Sequence, residues 1–258
     1  MIDEMDETID WLGQPVSCGT CPHHNLLATN LCRPKYACIQ DRYARRIDRF
    51  LHRNPSLAND YVTHPHFEVR AIAAKSADLF RLTALLDDPE ETVRWNAAIR
   101  LPYRYLLRMR TDPHREVRIR VASKLRPPDL PSMMEDEDYY VRLVVARRAD
   151  PGVLPWMIAD VEPQVRRVIA KRIGEASLMR LALDSDALVR LDAVRRLPSP
   201  LLGNLPKDPD WRVRHEIVSR IDIAALASFA GDPDPIVRET VEARLDGSWK
   251  DDTAKELA

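Results

Sequence analysis

The dipeptide Val-Arg begins at Val69, Val93, Val117, Val141, Val165, Val189, Val213 and Val237, a strict 24-residue period. No insertion or deletion interrupts the series. A chain with that regularity is a repeat array: it grows by copying one small unit, and each unit buries its apolar face against its neighbours.

The columns of the repeat define the unit. Four and five residues past each Val but the last stand apolar pairs such as Ala73-Ala74, Val121-Ala122 and Ile169-Ala170. Eight past it stand Ala77, Leu101, Leu125, Ala149, Ile173, Leu197, Ile221 and Leu245. Positions 0, 4, 5 and 8 share one face of an α-helix. Five residues ahead of each later Val is Asp88, Asp112, Asp136, Asp160, Asp184, Asp208 or Asp232, followed by Pro in four of the units. Asp as N-cap with Pro at the first helical position predicts a helix of roughly thirteen residues. Before Val69 the Asp slot holds His64, so a degenerate leading unit is expected. After each helix a Pro, Gly or Asp stop precedes a Leu column (Leu82, Leu106, Leu130, Leu154, Leu178, Leu202, Leu226). An apolar residue follows three later, with Met109, Met133 and Met157 in the middle units. That window has room for one turn of 3₁₀ helix and no second full helix. The expected fold is all-α, a solenoid of 24-residue units with one α-helix and one short 3₁₀ helix each. Residues 56–245 form the array, 1–55 a separate Cys-rich segment and 246–258 a polar tail. Glu242 stands where the core expects Ala or Val, as in a terminal cap.

Two charged columns need partners. The Arg after each Val lies about 100° around the helix from it, within the apolar stripe. A guanidinium there must be paired. The expected partner is the Asp capping the same helix, which gives a ladder of Asp88/Arg94, Asp112/Arg118, Asp136/Arg142, Asp160/Arg166, Asp184/Arg190, Asp208/Arg214 and Asp232/Arg238. A second basic column, seven past the Val, holds Arg100, Lys124, Arg148, Arg172, Arg196, Arg220 and Arg244. It lies in the last helical turn, where cations suit the helix dipole. The acidic column Glu90, Asp138, Glu162, Asp186, Asp210 and Asp234 lies in the first turn for the matching reason. The same basic column is also the candidate partner-binding rail, suited to nucleic-acid phosphates or an acidic protein. Trp95, Tyr139, Tyr140, Trp156 and Trp211 sit in variable columns, as gap fillers or contact residues.

The chemistry lies ahead of the array. Cys18, Cys21, Cys32 and Cys38 are the four cysteines of the chain, spaced C-x2-C-x10-C-x5-C. Four thiolates suit zinc or an iron–sulfur cluster. The C-x5-C pair is loose for a zinc knuckle, and Pro22 with the small polar loop around it fits a chain wrapping a bulky cluster, so [4Fe–4S] is favoured over zinc. His23 and His24 read as solvated loop residues. Helical spacing from Tyr36 to Arg53 predicts a helix with Cys38 near its start, carrying Arg42, Arg45, Arg46, Arg49 and Arg53 against Asp41 and Asp48. Those arginines offset the acidic N-terminus (Asp3, Glu4, Asp6, Glu7, Asp10) and the thiolates, or else form an anion site. The clustered cysteines, the acidic start and the lack of a long apolar run point to a cytoplasmic protein with no membrane span. A net charge of −1 gives no bulk signal for a polyanion partner.

The D-x4-V-R-x2-[AVI]-A core resembles HEAT-type repeats, but a 24-residue unit is short for two helices. The exact period and the cysteine prefix resemble more closely the bacterial leucine-rich repeat variant family. That resemblance covers essentially the whole chain. It implies a right-handed superhelix of α and 3₁₀ helices, and an N-terminal [4Fe–4S] domain with Cys18, Cys21, Cys32 and Cys38 as ligands. No nucleophile–base constellation is present, so a non-enzymatic scaffold binding a macromolecular partner, first of all a protein, is the leading expectation. Its cluster would be structural or redox-sensing. Nucleic-acid binding along the basic column and an accessory role in electron transfer are the alternatives.

Overall fold

The computed structural model describes residues 8–205 and 207–249. The acidic residues Asp3, Glu4, Asp6 and Glu7 and the end of the polar tail lie outside them. Two compact units divide the chain, Met1–Arg126 and Pro127–Ala258. Among the described residues the regular structure is helical, with isolated bridges at Ile9–Pro15 and Arg33–Ala37.

Each repeat supplies one main helix. In the first unit these are Phe67–Ala73, Glu91–Ala98 and Arg115–Lys124, preceded by Ala44–Arg53. In the second they are Tyr139–Arg148, Pro163–Arg172, Ala187–Val194, Trp211–Arg220 and Pro235–Leu245. The eight Val residues of the register are buried, as is the Leu column from Leu82 to Leu226. Leu245 is the exception in its column and is exposed.

The second element of the unit varies with its prolines. Pro127–Met133 and Pro151–Met157 are 3₁₀ throughout and contain Pro131 and Pro155. Proline has no N–H for an i→i−4 bond, which favours the tighter, shorter form. Two units without that proline, Leu79–Leu82 and Tyr103–Leu106, fit in a single α turn and then run on into 3₁₀.

The helices are shorter than predicted and start later. Glu91–Ala98 has eight residues, and its N-cap is Glu90 instead of Asp88. Asp138, Asp186, Asp210 and Asp234 likewise stand at N-caps, each accepting from backbone N–H groups of its own helix. The acidic column is therefore the cap itself. The Asp five before Val forms a turn ahead of it: Asp88 Oδ1 accepts from the Glu90 N–H at 3.0 Å, and Asp208 Oδ1 from the Asp210 N–H at 2.8 Å. His64 does the same job with a ring nitrogen, Nδ1 accepting from the His66 N–H at 3.1 Å. Such a bond requires Nδ1 to be unprotonated, and burial of the ring, the largest influence, favours the neutral form.

The ladder also differs from its expected register. Arg94 Nη1 donates to the carbonyl oxygen of Asp88, at 2.7 Å, and not to its carboxylate. Nε and Nη2 instead form a fork on the Asp112 carboxylate, 18 residues on, at 2.7 and 2.9 Å. The same fork joins Arg70 to Asp88, Arg142 to Asp160, Arg166 to Asp184, Arg190 to Asp208 and Arg214 to Asp232. The expected pairs Asp112/Arg118 and Asp232/Arg238 are corrected in the same way. Arg118 Nη1 donates to the Asp112 carbonyl at 2.8 Å and the Pro113 carbonyl at 3.2 Å, while the Asp112 carboxylate is gripped by Arg94. Arg238 Nη1 donates to the Asp232 carbonyl at 2.6 Å and the Pro233 carbonyl at 3.1 Å, while the Asp232 carboxylate is gripped by Arg214. Arg238 stands in the last repeat, and the next position of the Asp column lies outside the described residues. The reason for the shift is reach. A guanidinium in the second turn of its helix lies against the carbonyls of the entry turn, whereas the carboxylate of that turn points back to the preceding repeat. Each forked guanidinium thus fastens the entry turn of its own repeat to that of the next.

These pairs shape the response to acid. Asp232 is held below the usual carboxylate range by the hydrogen bonds from Arg214. At Asp88 and Asp184 burial pushes upward, but the bonds from Arg70 and Arg166 and the turn N–H groups outweigh it. A carboxyl whose folded pKa is depressed adds stability above its unfolded value and loses it as pH falls through the folded one. Tm should therefore hold above about pH 5 and fall steadily below about pH 4. A Tm unchanged down to pH 3 would contradict a stabilising ladder.

The second basic column has a structural use as well. Arg100 donates to the carbonyls of Ala74 and Ala77, and Arg172 to those of Ala146 and Ala149. Arg196, Arg220 and Arg244 reach back to Ala170, Val194 and Val218 in the same way. The last carbonyls of a helix lack intrahelical partners, and here the next repeat supplies them. Arg172→Ala should cost about 1–3 kcal/mol in urea unfolding, because it leaves two carbonyls unsatisfied. An unchanged midpoint would show that water replaces the clamp at no cost.

Candidate metal centre

The Cys-rich segment folds with little regular structure. Cys18–Thr20 and His24–Leu27 are single 3₁₀ turns, and the Cys21 N–H donates to the Cys18 carbonyl at 3.3 Å. That turn sets the C-x2-C pair side by side. Cys32 follows, its N–H bonded to the Leu26 carbonyl at 3.2 Å. Between Cys32 and Cys38 the chain makes a tight loop closed by paired backbone bonds of Arg33 and Ala37, at 2.8 and 2.9 Å. Lys35 stands at its tip with φ 64°, a left-handed conformation uncommon for such a residue.

The helix begins later than its apolar spacing predicts. It covers Ala44–Arg53, so Cys38 lies in the loop before it. The Asp41 carboxylate, wholly buried, causes the delay: it accepts from the Tyr43 N–H and pairs with Arg46 Nη1 at 2.9 Å, which holds Asp41–Tyr43 in a turn. The far end of the helix returns to the cysteines. Asn54 Nδ2 donates to the Leu31 carbonyl at 3.0 Å and Arg53 Nη1 to that of Asn30 at 2.7 Å, so Cys32 is approached from a fixed direction.

None of the four cysteines forms a disulfide. Cys21, Cys32 and Cys38 are buried and Cys18 is half-buried. Burial pushes the Cys32 thiol up, and the nearby Cys21 and Cys18 push it further. Cys38 is pushed up to about 12, mainly by burial, with Cys32 and Asp41 adding to the effect against backbone hydrogen bonds at Gln40 and Asp41. Cys32 thus lies within electrostatic reach of Cys21 and Cys18, and Cys38 within reach of Cys32, so as thiolates they would repel. A positively charged inorganic core between them removes that repulsion, so the donor set fits an iron–sulfur cluster. Among the described residues no three His, Cys, Asp or Glu side chains close around a single metal ion.

Two neighbours of the cysteines escaped the sequence reading. His23 is half-buried: Nε2 shares a hydrogen bond with the Tyr61 hydroxyl at 2.6 Å, and its ring lies 5.5 Å from Phe50. The Tyr61 hydroxyl is pushed up to about 12, first by burial and then by Cys21, Asp60 and Cys38. His24 is exposed, as expected. A signal for Tyr61 was present: it precedes Leu85 by one repeat period, as Ala58 precedes Leu82. Carrying the repeat back one unit places Arg46 in the ladder column, where it pairs with Asp41, and makes Pro55–Tyr61 the 3₁₀ element of that unit. Trp11 completes this end of the array, stacked on His66 at 5.7 Å and edge-on to His64 at 6.1 Å.

A four-cysteine segment built onto the first turns of a 24-residue α/3₁₀ array defines an iron–sulfur solenoid protein. Residues 8–60 match the family model for the FeS4 cluster of LRV proteins. A solved structure, described as a leucine-rich repeat variant with a novel repetitive protein structural motif, superposes with a TM-score of 0.84 at 39% identity, over 89% of this chain and 99% of that one. The chain belongs to the leucine-rich repeat variant family, and its cofactor is the iron–sulfur cluster of that family. It is also 46% identical over 99 residues to an uncharacterized 27.7 kDa protein in the nifB 3′ region of Rhodobacter capsulatus. That match covers 38% of this chain and 40% of the relative. Among the described residues no helix is long and apolar enough to cross a membrane.

Proposed function

We propose that this protein is a non-enzymatic scaffold in which Cys18, Cys21, Cys32 and Cys38 hold the cluster and the repeats bind a protein partner. The observation that carries this reading is the junction between the two parts. Tyr61 belongs to the repeat register, yet its hydroxyl bonds His23, two residues past Cys21, and feels the charge of Cys21 and Cys38. The cluster supplies the cross-link that a segment with so little secondary structure lacks. Its gain or loss would be felt at the first repeat, which makes it a structural staple open to redox sensing.

Exposed apolar side chains on the repeats support partner binding. Phe80, Trp156, Val161 and Ile223 are all more than half exposed, each in a different column of the repeat. Phe80 also lines a cleft of about 710 Å³ together with Leu79, Pro102 and Tyr105 and the polar Asp78, Thr83 and Arg104. Tyr140 is also exposed, whereas Trp95 is covered by Arg120 at 4.6 Å. Because most of the second basic column is bonded to carbonyls, the apolar surface is the better candidate contact.

Affinity capture from the source cell followed by reconstitution from pure components tests this. A stoichiometric complex with the cluster-loaded protein, weakened at least tenfold when the cluster is removed, is the expected result. A complex indifferent to the cluster would remove the sensing role, and the absence of any stoichiometric complex would remove the scaffold.

A further inference from the structure

The segment from Arg33 to Arg53 holds seven Lys and Arg against two Asp, a formal +5 in a chain of −1, which leaves −6 for everything else. Both acids are already engaged, Asp41 with Arg46 inside the fold and Asp48 with Lys75 from the first repeat at 2.8 Å. Arg45, Arg49 and Arg53 follow one another at four-residue intervals and so form one stripe along the helix Ala44–Arg53. Like charges at that spacing repel, and a helix shaped for stability alone would alternate their sign. Aromatic rings hold the guanidinium groups in place. Arg49, Arg53 and Arg33 lie 4.3, 5.1 and 5.8 Å from the centre of the Tyr36 ring, and Arg46 and Arg42 lie 4.9 and 5.0 Å from that of Tyr43. Tyr36 itself is exposed, on the loop that joins Cys32 to Cys38.

We propose that Tyr36 with Arg33, Arg45, Arg49 and Arg53 forms the docking surface for an acidic face of the protein partner, seated over the cysteine loop. The inference rests on the scaffold reading and names its partner chemistry. The Arg33 and Arg49 guanidiniums, over the Tyr36 ring, keep their edge N–H groups for carboxylates, in the fork geometry that arginine prefers, while Arg53 spends Nη1 on the Asn30 carbonyl and Arg45 adds an exposed charge on the same stripe. The thiolates beneath the loop do not absorb the whole excess, since Arg33, Arg45 and Arg53 lie on the exposed side. The size of the surface favours a protein over a nucleic acid. Ten helical residues span about 15 Å, and a longer polyanion would run off the patch onto a chain that is net negative. An acidic protein face of matching size meets no such penalty, and it places the partner where it can respond to the cluster.

The test uses the cluster-loaded full chain with two fluorescent probes, a 20-residue poly-glutamate peptide and a 20-nucleotide oligo-dT, read by fluorescence anisotropy. The peptide should bind and lose at least tenfold in affinity between 50 and 200 mM salt, as screening of a charged surface requires. The Arg45→Glu/Arg49→Glu variant should lose at least tenfold at low salt while keeping its cluster absorbance, and the milder Arg45→Gln/Arg49→Gln variant should fall between. Tighter binding of the oligonucleotide than of the peptide, or no effect of charge reversal on peptide binding, would overturn the proposal. The reconstituted partner complex separates the two readings. If it forms and survives charge reversal, the docking surface is wrong and the scaffold stands; if it never forms, both fail.

Discussion

Arg190→Ala should lower stability by about 3–5 kcal/mol, the cost of stripping one partner from a buried ion pair. The guanidinium makes four hydrogen bonds. Nε and Nη2 grip the Asp208 carboxylate at 2.6 and 2.8 Å, and Nη1 bridges the carbonyls of Asp184 and Ser185 at 2.8 and 3.1 Å. The paired side chains are only 11% and 8% exposed, so water cannot replace the lost arginine without opening the repeat junction. Asp208→Asn should cost less, because an amide oxygen still accepts from the Asp210 N–H and from one guanidinium N–H. In the double variant Arg190→Met/Asp208→Leu the stability should recover in part. Removing both charges leaves no unpaired ion, and the remaining loss is the Asp208 turn and the two carbonyl contacts. Urea unfolding of the wild type, Arg190→Met, Asp208→Leu and the double variant gives the cycle directly. A single-variant loss below about 1 kcal/mol, or losses that simply add in the double variant, would refute the ladder as a coupled element.

Removing the cluster should have the second large effect, confined to one end of the chain. Residues 8–43 contain only short 3₁₀ turns and two isolated bridges. Without the cross-link their backbone bonds should exchange hydrogen almost as fast as an unfolded chain. The loss should spread to Ala44–Arg53 and Pro55–Tyr61, tied to the loops through Asn54–Leu31, Arg53–Asn30 and Tyr61–His23. It should fade through the next repeat, because each unit of an array leans chiefly on its neighbours. Helices from Tyr139 onward should keep their protection. Hydrogen exchange with and without the cluster reads this out residue by residue. Full protection of residues 8–43 in the cluster-free protein would show that the segment folds unaided.

Much of the fold is legible from one column. A Val recurring with a 24-residue period, with apolar residues at +4, +5 and +8, fixes the helix, its buried face and the stacking period. The details that shifted share a cause. A strictly periodic sequence places the same residue type before and after every Arg, so Asp88 and Asp112 are equally good partners for Arg94 on paper. The choice depends on distance: six residues back the geometry offers a carbonyl, and 18 residues on it offers a carboxylate. Arg118 and Arg238 repeat the first half of that choice, each taking the carbonyl of the Asp that sequence alone offers as a carboxylate. The helix start slipped for a similar reason. Asp208 and Asp210 are both good caps by type, and only the arginine of the preceding repeat removes Asp208 from that role. In the second basic column, a cation in the last turn looks the same whether it answers its own dipole or the open carbonyls of the helix before it.

The cluster of the cysteine segment was legible in its four thiols, and the surroundings of those thiols were not. Spacing alone brings Cys18 and Cys21 together, and the number of thiols calls for a metal. Nothing local to His23 marks it as bound, because its partner lies 38 residues away. Tyr61 stands in a column that elsewhere carries Leu, Met or Phe, so its hydroxyl was the one departure pointing to a polar neighbour. The arginine stripe was visible as charge, but its organisation around Tyr36 depends on a loop closure between Arg33 and Ala37 that no periodicity announces.

Whether the four cysteines packed against the first repeat carry an iron–sulfur cluster is tested most directly by metal analysis of the anaerobically purified full chain. The expected result is about four iron per chain and a broad absorbance near ~400 nm, both lost together when Cys32 or Cys38 becomes serine. A colourless protein with one zinc per chain, or iron and colour unchanged in those serine variants, would contradict it.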